Sequence, residues 1–309
     1  MLSAHQILAL LNLPGIGPKT VFKVAERLTA PIGNNELPAA LAAVKPAVDE
    51  GAVLQSLVTV RGQLTEYERQ GVFLVSYWDE DFPDGARHAV DDDGNPEPAL
   101  LLYGRGNRAL LSEPGVAVIG TRNAAEPALA AARLFAEKLV EEGITVVSGL
   151  AFGCDAAAHW GAASAEGPTI AVVGNGLDTV YPPQHLDLAD TIIAKGGLFV
   201  SEYPLGTVAT PATLIARDRL QTALSQAVIV VQTPEGGGSM HAAKSAYHTG
   251  KDLYVVRYKD EAFDRSPENA GNQWLIENCG AKPLGPFPTM RELDEAVAEI
   301  ADKVFAATL

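Results

Sequence analysis

Only two cysteines occur in the 309 residues, Cys154 and Cys279. They lie far apart and have no partner at metal-ligand spacing, so neither a disulfide framework nor a metal site is expected. Long apolar runs are missing too, and none approaches the roughly 20 residues that a membrane-spanning helix needs. The opening, Met1 to Leu13, carries no basic stretch ahead of its apolar residues, which speaks against a secretory signal. Positive charge is also scarce: 23 Lys and Arg face 38 Asp and Glu, a formal net charge of −15. That balance excludes a protein that meets phosphate through a broad basic surface. These absences leave a cytoplasmic protein without membrane contact, holding two reduced thiols.

Apolar residues are plentiful, 47% of the chain, enough for a substantial core in one large domain and a smaller one. The acidity is uneven. Residues 1–65 carry 5 basic and 4 acidic groups, whereas 66–112 carry 4 and 10, 113–285 carry 12 and 19, and 286–309 carry 2 and 5. An anionic ligand must therefore bind at a local cluster, helped by aligned backbone amides.

Hydropathy patterning predicts four segments. In 1–65, Ile7, Leu8, Leu10 and Leu11 form one stripe and Val21, Val24, Ala25 and Leu28 a second. Between them runs the Gly-rich turn Leu13–Lys19, so this is a small helical module of the helical-hairpin kind, continuing at 30–60 as short alanine-rich pieces. Residues 66–112 read as a connecting segment with two short strands, Phe73–Val75 and Leu100–Tyr103, and solvated acidic loops. From 113 to 285, apolar runs recur at Val116–Ile119, Ile144–Val147, Ile170–Val173, Leu198–Val200, Val228–Val231 and Leu253–Val256, with helical periodicity between most of them. Strands apolar nearly throughout and separated by helices predict an α/β fold, a doubly wound, Rossmann-like parallel sheet covered on both faces. Residues 286–309 read as an acidic amphipathic helix. There is no internal repeat or low-complexity tract.

The chemistry is expected in the turns that follow the strands, because ligands of such folds sit beyond the strands' carboxyl ends. Gly120-Thr121-Arg122-Asn123 follows the first strand and Ser148–Asp155, with Gly149 and Gly153, the second. Gly174-Asn175-Gly176 follows the third, and Glu235-Gly236-Gly237-Gly238-Ser239 the fifth. Glycine admits a bulky oxyanion close to the backbone, and helix N-termini present unpaired amides with partial positive charge. Such a crown could bind phosphate without many lysines. Arg217 and Arg219 are candidates to add charge to the same edge, or else an ion-paired surface couple with Asp218.

These motifs carry a resemblance. Ser148-Gly149-Leu150-Ala151, Gly153, Asp155–Ala158 and His159 are similar to the signature loop of the DNA-processing protein A (DprA/Smf) family. The succession Gly174-x-Gly176-Leu177-Asp178, Tyr181-Pro182, Ser201-Glu202-Tyr203-Pro204, Arg217-x-Arg219 and Gly238-Ser239 keeps the family's order. Asp81-Phe82-Pro83 and Leu13–Lys19 resemble its upstream parts, so the likeness spans about residues 5–285. The resemblance implies an extended Rossmann fold that binds single-stranded DNA, forms a homodimer and helps load a RecA-type recombinase during natural transformation. It implies no catalytic residue, no cofactor and no metal. Carried over by position, the implied pocket comprises Gly120, Thr121, Arg122, Gly149, Phe152, Gly153, Arg217, Arg219, Gly238, Ser239 and Lys244; the turns add Gly174, Gly176 and Gly237.

Four positions depart from the family pattern. Phe152 stands where arginine is usual, exchanging a phosphate contact for a stacking surface of about 1–3 kcal/mol per base. Asp218 replaces the asparagine of Arg-Asn-Arg, and Met240-His241 replaces an aliphatic helix entry. Of the polar residues that could suggest catalysis, His159 is expected to hydrogen-bond Asp155 one turn earlier, Glu202 to accept backbone hydrogen bonds at a turn, and His241 to face solvent. Two other functions suit the same fold. One is a sensor of a nucleotide-derived ligand. The other is a nucleotide phosphoribohydrolase, whose Pro-Gly-Gly-x-Gly-Thr-x-x-Glu would place its glutamate at Ala242 and so lacks the carboxylate.

Overall fold

The computed structural model describes residues 1–308 and divides into two compact units. The first comprises Met1–Phe82 with Leu100–Tyr103; the second comprises Pro83–Ala99 and the chain from Gly104 onward.

In the first unit, helices α1 (Ala4–Leu11), α2 (Pro18–Ala25), α3 (Leu37–Ala42) and α4 (Glu50–Arg69) precede strand β1 (Val72–Ser76). A reciprocal cap starts α1: the Gln6 amide donates to Ser3 Oγ, and the Ser3 amide to Gln6 Oε1. Gly15, at φ +69°, makes the turn toward α2, which opens with Pro18 at its first position. The region expected as short pieces instead ends in the 20-residue α4. Gly51 and Gly62 obscure its period, but Val53, Ser56, Leu57, Val60 and Tyr67 form one buried face, and Asp49 caps it. The amide of Tyr77, just past β1, donates to Leu100 O, and Tyr67 meets Tyr103 edge-on at 5.8 Å.

Strand β2 (Leu101–Gly106) leads into the second unit, where α5 (Asp84–Arg87) also lies. There strands and helices alternate: β3 (Gly115–Ile119), α6 (Glu126–Glu141), β4 (Thr145–Ser148), α7 (Cys154–Ser164), β5 (Thr169–Val172), α8 (Leu186–Ala194), β6 (Leu198–Ser201), α9 (Pro211–Ala223), β7 (Ala227–Val230), α10 (Ser239–His248) and β8 (Asp252–Val256). Short α11 (Glu261–Asp264), α12 (Ala270–Cys279), β9 (Lys282–Leu284) and α13 (Met290–Thr308) follow. The strands of this unit run β6-β5-β4-β3-β7-β8-β9, every neighbouring pair parallel. The chain winds outward from β3 through β4, β5 and β6, then returns to β3's other side as β7. This is the doubly wound parallel sheet that the run of apolar strands predicted.

Alternate strand residues explain why both faces are covered. Val116 and Val118 of β3, Val146 of β4 and Ile229 of β7 bury against α6, α7 and α13. Ala117, Ile119, Val228 and Val230 are equally buried but point to the opposite face, where α10 packs on β7 and β8. Leu293, Val297, Ile300, Ala301 and Val304 of α13 complete the first layer. No helix among the described residues is long and apolar enough to cross a membrane.

One half-buried contact anchors the helix that feeds the site. Lys251 Nζ donates to the carbonyls of Thr222 (2.6 Å), Ala223 (3.3 Å) and Ser225, at the carboxyl end of α9. These are acceptors that a helix end leaves unsatisfied, in the negative field of its dipole. Lys251→Met keeps the stem and removes the donor, so we expect a loss of about 1–3 kcal/mol. Urea unfolding checks this, and an unchanged midpoint would show that water replaces the ammonium at no cost.

Candidate functional site

Because all these strands run parallel, the four glycine turns lie at one edge of the sheet. Between β3 and β7 the winding reverses, and the connections leave in opposite directions, opening a crevice. A cavity of about 470 Å³ lies there, walled by Gly120–Arg122 after β3, Ala151 of the loop after β4, Asp155 at the start of α7, and Leu214, Arg217, Asp218 and Gln221 of α9. Gly236, Gly238, Ser239, His241 and Ala242 close it from the β7–α10 side. A smaller recess of about 40 Å³ adjoins it, lined by Arg122, Gly149, Ala151, Phe152, Tyr181, Pro182, Leu214 and Arg217.

Local hydrogen bonds set the loop after β4. Ser148 Oγ donates to Val118 O at 2.7 Å, and Leu150 is held at φ +59°, a strained value for leucine. Asp155 Oδ2 accepts from the amides of Gly149 (3.2 Å) and Ala151 (3.3 Å). A ring nitrogen of His185, Nδ1, lies 2.8 Å from Leu150 O, and the imidazole meets Phe152 edge-on at 4.8 Å. Phe152 and Tyr181, each 43% exposed, therefore stand as a pair of rings beside the cavity.

Glycine is required where backbones touch. At Gly153, φ is +76°, and a Cβ would lie 2.2 Å from Thr121 O. At Gly149 a Cβ would lie 1.7 Å from Arg217 Nη1 and 2.6 Å from Asp155 Oδ2. Gly174 and Gly176 serve packing: their Cβ atoms would meet Thr213 O and Pro204 O, and neither residue lines the cavity. Gly237 faces Thr233 Oγ1 instead.

The arginines divide. Arg122 is exposed at the rim. Arg217 is 3% exposed, its Nη1 donating to Val172 O at 2.8 Å and its Nε lying 3.1 Å from Asp218 Oδ1. Arg219 is turned away from the cavity. Its guanidinium donates to Glu202 at 2.6 and 3.0 Å, to Glu97 O at 2.9 Å and to Ala216 O at 2.8 Å. Burial disfavours its charge, but Glu202 more than offsets this and holds the proton above the usual arginine range. Lys244 is absent from the wall as well, its Nζ lying 5.2 Å from the Trp274 ring centre. An i,i+2 spacing on a helix separates Arg217 from Arg219 by some 200°, so only one of them can face the crevice.

Three side chains behave differently from the expectations above. His159 does not bond Asp155: it is fully buried with Nδ1 2.8 Å from Thr169 Oγ1, and burial pushes its ring down to about 3. Glu202 accepts from Arg219 rather than from a turn. His241 does not simply face solvent, since its Nδ1 lies 2.6 Å from Asp92 Oδ2. Burial also pushes the Cys154 thiol up to about 12, leaving it unreactive.

The electrostatics are mixed rather than basic. Burial raises Asp155 despite the opposing pull of Arg217, and lifts Asp218 to about 6 for the same reason. Two polar atoms of the wall, Gln221 Oε1 and Ser239 Oγ, are buried without a partner among the described residues. Reading the sequence missed Tyr181 and Gln221 as wall residues. Tyr181 had a signal in Tyr-Pro after the third strand, but Gln221 had none.

A doubly wound sheet with a walled cavity at its switch point defines a class: Rossmann-like α/β proteins that hold a ligand at the carboxyl edge. The chain belongs to the DNA recombination-mediator protein A family, whose model matches residues 73–293. It is 36% identical over 239 residues to Protein Smf of Synechocystis, a match covering 75% of this chain and 59% of that protein. The chain thus spans about three fifths of that relative's length. The X-ray structure of DNA processing protein A from Streptococcus pneumoniae superposes with a TM-score of 0.72 at 26% identity, covering 92% of this chain and 95% of that one. DNA processing protein A of Helicobacter pylori, solved for its single-stranded DNA binding mode, gives 0.60 at 27% identity over 74% of this chain and 96% of that one.

Proposed function

We propose that this chain binds single-stranded DNA along the carboxyl edge of its sheet and acts without catalysis in DNA processing, uptake and recombination. In this reading it works as a homodimer that helps load a RecA-type recombinase. The observation that carries the reading is the rim itself. Arg122 projects beside the cavity with Phe152 and Tyr181 next to it, so a phosphate and its neighbouring bases would meet a guanidinium and two exposed rings along one stretch of the rim. The H. pylori relative, described for binding single-stranded DNA, supports the choice of polymer.

Binding of labelled oligothymidine, followed by fluorescence anisotropy at two salt concentrations, tests this. We expect affinity to fall with salt, and Arg122→Ala to weaken binding and reduce the slope of log K against log salt by about 0.7, one single-strand phosphate contact. Phe152→Ala is expected to cost about 1–3 kcal/mol with the slope unchanged. Equal slopes in parent and Arg122→Ala would remove the arginine from the interface.

A second reading, a sensor of a nucleotide-derived ligand, is favoured by the unpartnered Gln221 Oε1 beside Asp218, since both can accept from a sugar hydroxyl or a base amine. Salt-insensitive retention of a mononucleotide, with no oligothymidine binding, would select it. Ala242 lines the cavity with a methyl group where a phosphoribohydrolase would present its glutamate, which supports a non-hydrolytic role.

A further inference from the structure

The cavity wall holds more carboxylates than its one buried guanidinium can neutralise. Arg217 is flanked by Asp155 and by Asp218, both buried and both lining the cavity. Asp155 Oδ2 accepts two backbone amides, which favour its anion against the burial that opposes it. Asp218 has no such support. Its Oδ1 accepts from Gln221 Nε2 at 2.9 Å and lies near Arg217, and no backbone amide donates to it among the described residues. The other charges facing it are His241 of α10, whose ring is paired with Asp92, and Arg122 of the rim. An anion entering the cavity would meet Asp218 in its wall, and like charges repel.

We propose that Asp218 makes anion binding at this cavity proton-coupled: the site accepts a phosphate-bearing ligand with Asp218 neutral, and binding takes up one proton from solution. This rests on the single-stranded DNA reading above and adds its pH control. The balance is simple: the proton goes to an Asp218 carboxylate oxygen, and the charge of the wall rises by one as the ligand's phosphate arrives. The neutral acid keeps the size of the carboxylate, so no packing changes. Burial brings the group within reach of mild acid, since it already lifts the carboxyl to about 6. Uptake of one proton makes affinity fall by up to tenfold per pH unit above that point and level off below it.

The test is oligothymidine binding at fixed ionic strength from pH 5 to 8, with the parent, Asp218→Asn and His241→Gln. Thymine does not titrate in this range, so any dependence belongs to the protein. The parent is expected to bind at least tenfold more weakly at pH 7.5 than at pH 6. Asp218→Asn is expected to be nearly flat and to exceed the parent at pH 7.5, while His241→Gln retains the parent's slope. Parallel profiles for parent and Asp218→Asn overturn the proposal while leaving the DNA reading intact, and loss of the slope in His241→Gln alone assigns the proton to His241 and overturns it as well. No oligothymidine binding by any of the three at any pH removes the DNA reading itself, and this inference with it.

Discussion

Gly153→Ala is expected to lower stability by about 3 kcal/mol or more and single-stranded DNA affinity by more than tenfold. Two costs coincide at this residue. Its φ of +76° with ψ −126° is a conformation that a side chain makes expensive. The added carbon would also lie 2.2 Å from Thr121 O and 2.6 Å from Arg122 O, both backbone atoms with no rotamer to yield. Relief requires the Gly120–Arg122 loop to lift from the start of α7, breaking the Cys154 amide's hydrogen bond to Thr121 O and displacing Arg122 and Phe152 from one another. Urea unfolding and oligothymidine titration read the two effects separately. Gly236→Ala is the contrast: its Cβ meets nothing within 4 Å, so its stability should stay within about 0.5 kcal/mol of the parent. Equal behaviour of the two variants would mean that the loop and helix are not held as close as described.

Glu202→Ala carries the second large effect, a destabilisation of about 3–5 kcal/mol. Arg219 is 7% exposed, and its guanidinium is held by both oxygens of Glu202. Removing the carboxylate leaves a buried cation with the half-exposed Glu97 carboxylate, 3.1 Å from its Nε, and the carbonyls of Glu97 and Ala216, which hold it less well than the bidentate pair. Arg219 cannot shed its proton to escape the cost. Glu202→Gln, which keeps one acceptor, should lose less. Because Arg219 points away from the cavity, oligothymidine affinity of the folded fraction should change little in either variant. A fall of less than about 1 kcal/mol in Glu202→Ala would show that Glu97 suffices, and a parallel loss of DNA binding would return Arg219 to the interface.

How far the molecule could be read beforehand depended on whether a signal was local. The six apolar runs from Val116 to Val256 became β3 to β8 within a residue or two, because a strand buried on both faces must be apolar nearly throughout. Strand β9 was missed: Lys282-Pro283-Leu284 is short, exposed at two of three positions and carries a proline, which an edge position tolerates. Helix α4 was read as fragments because its glycines hide a stripe whose partners, such as Ala9 O accepting from Ser56 Oγ, lie far back in the chain. In the site, the turns at Gly120, Gly149 and Gly238 and the rim residue Arg122 were visible as glycine after a strand. The separate fates of Arg217 and Arg219 were not, since both belong to one tripeptide and differ only in which side of α9 they leave.

By itself the order of residues determined the alternation of strand and helix, hence a parallel sheet with its strand-end loops on one edge, and the membership of a family defined by those loops. Hydrophobic period and glycine placement are short-range properties, written within a few residues of where they act. What the tertiary structure alone decided is the electrical character of the crevice: which arginine is exposed, which is neutralised by Glu202, and that Asp155 and Asp218 share Arg217. Burial and the approach of side chains from different elements, Glu202 to Arg219 and Asp155 to Arg217, set those balances, and a charge has no fixed meaning until its surroundings fix the dielectric and the partner.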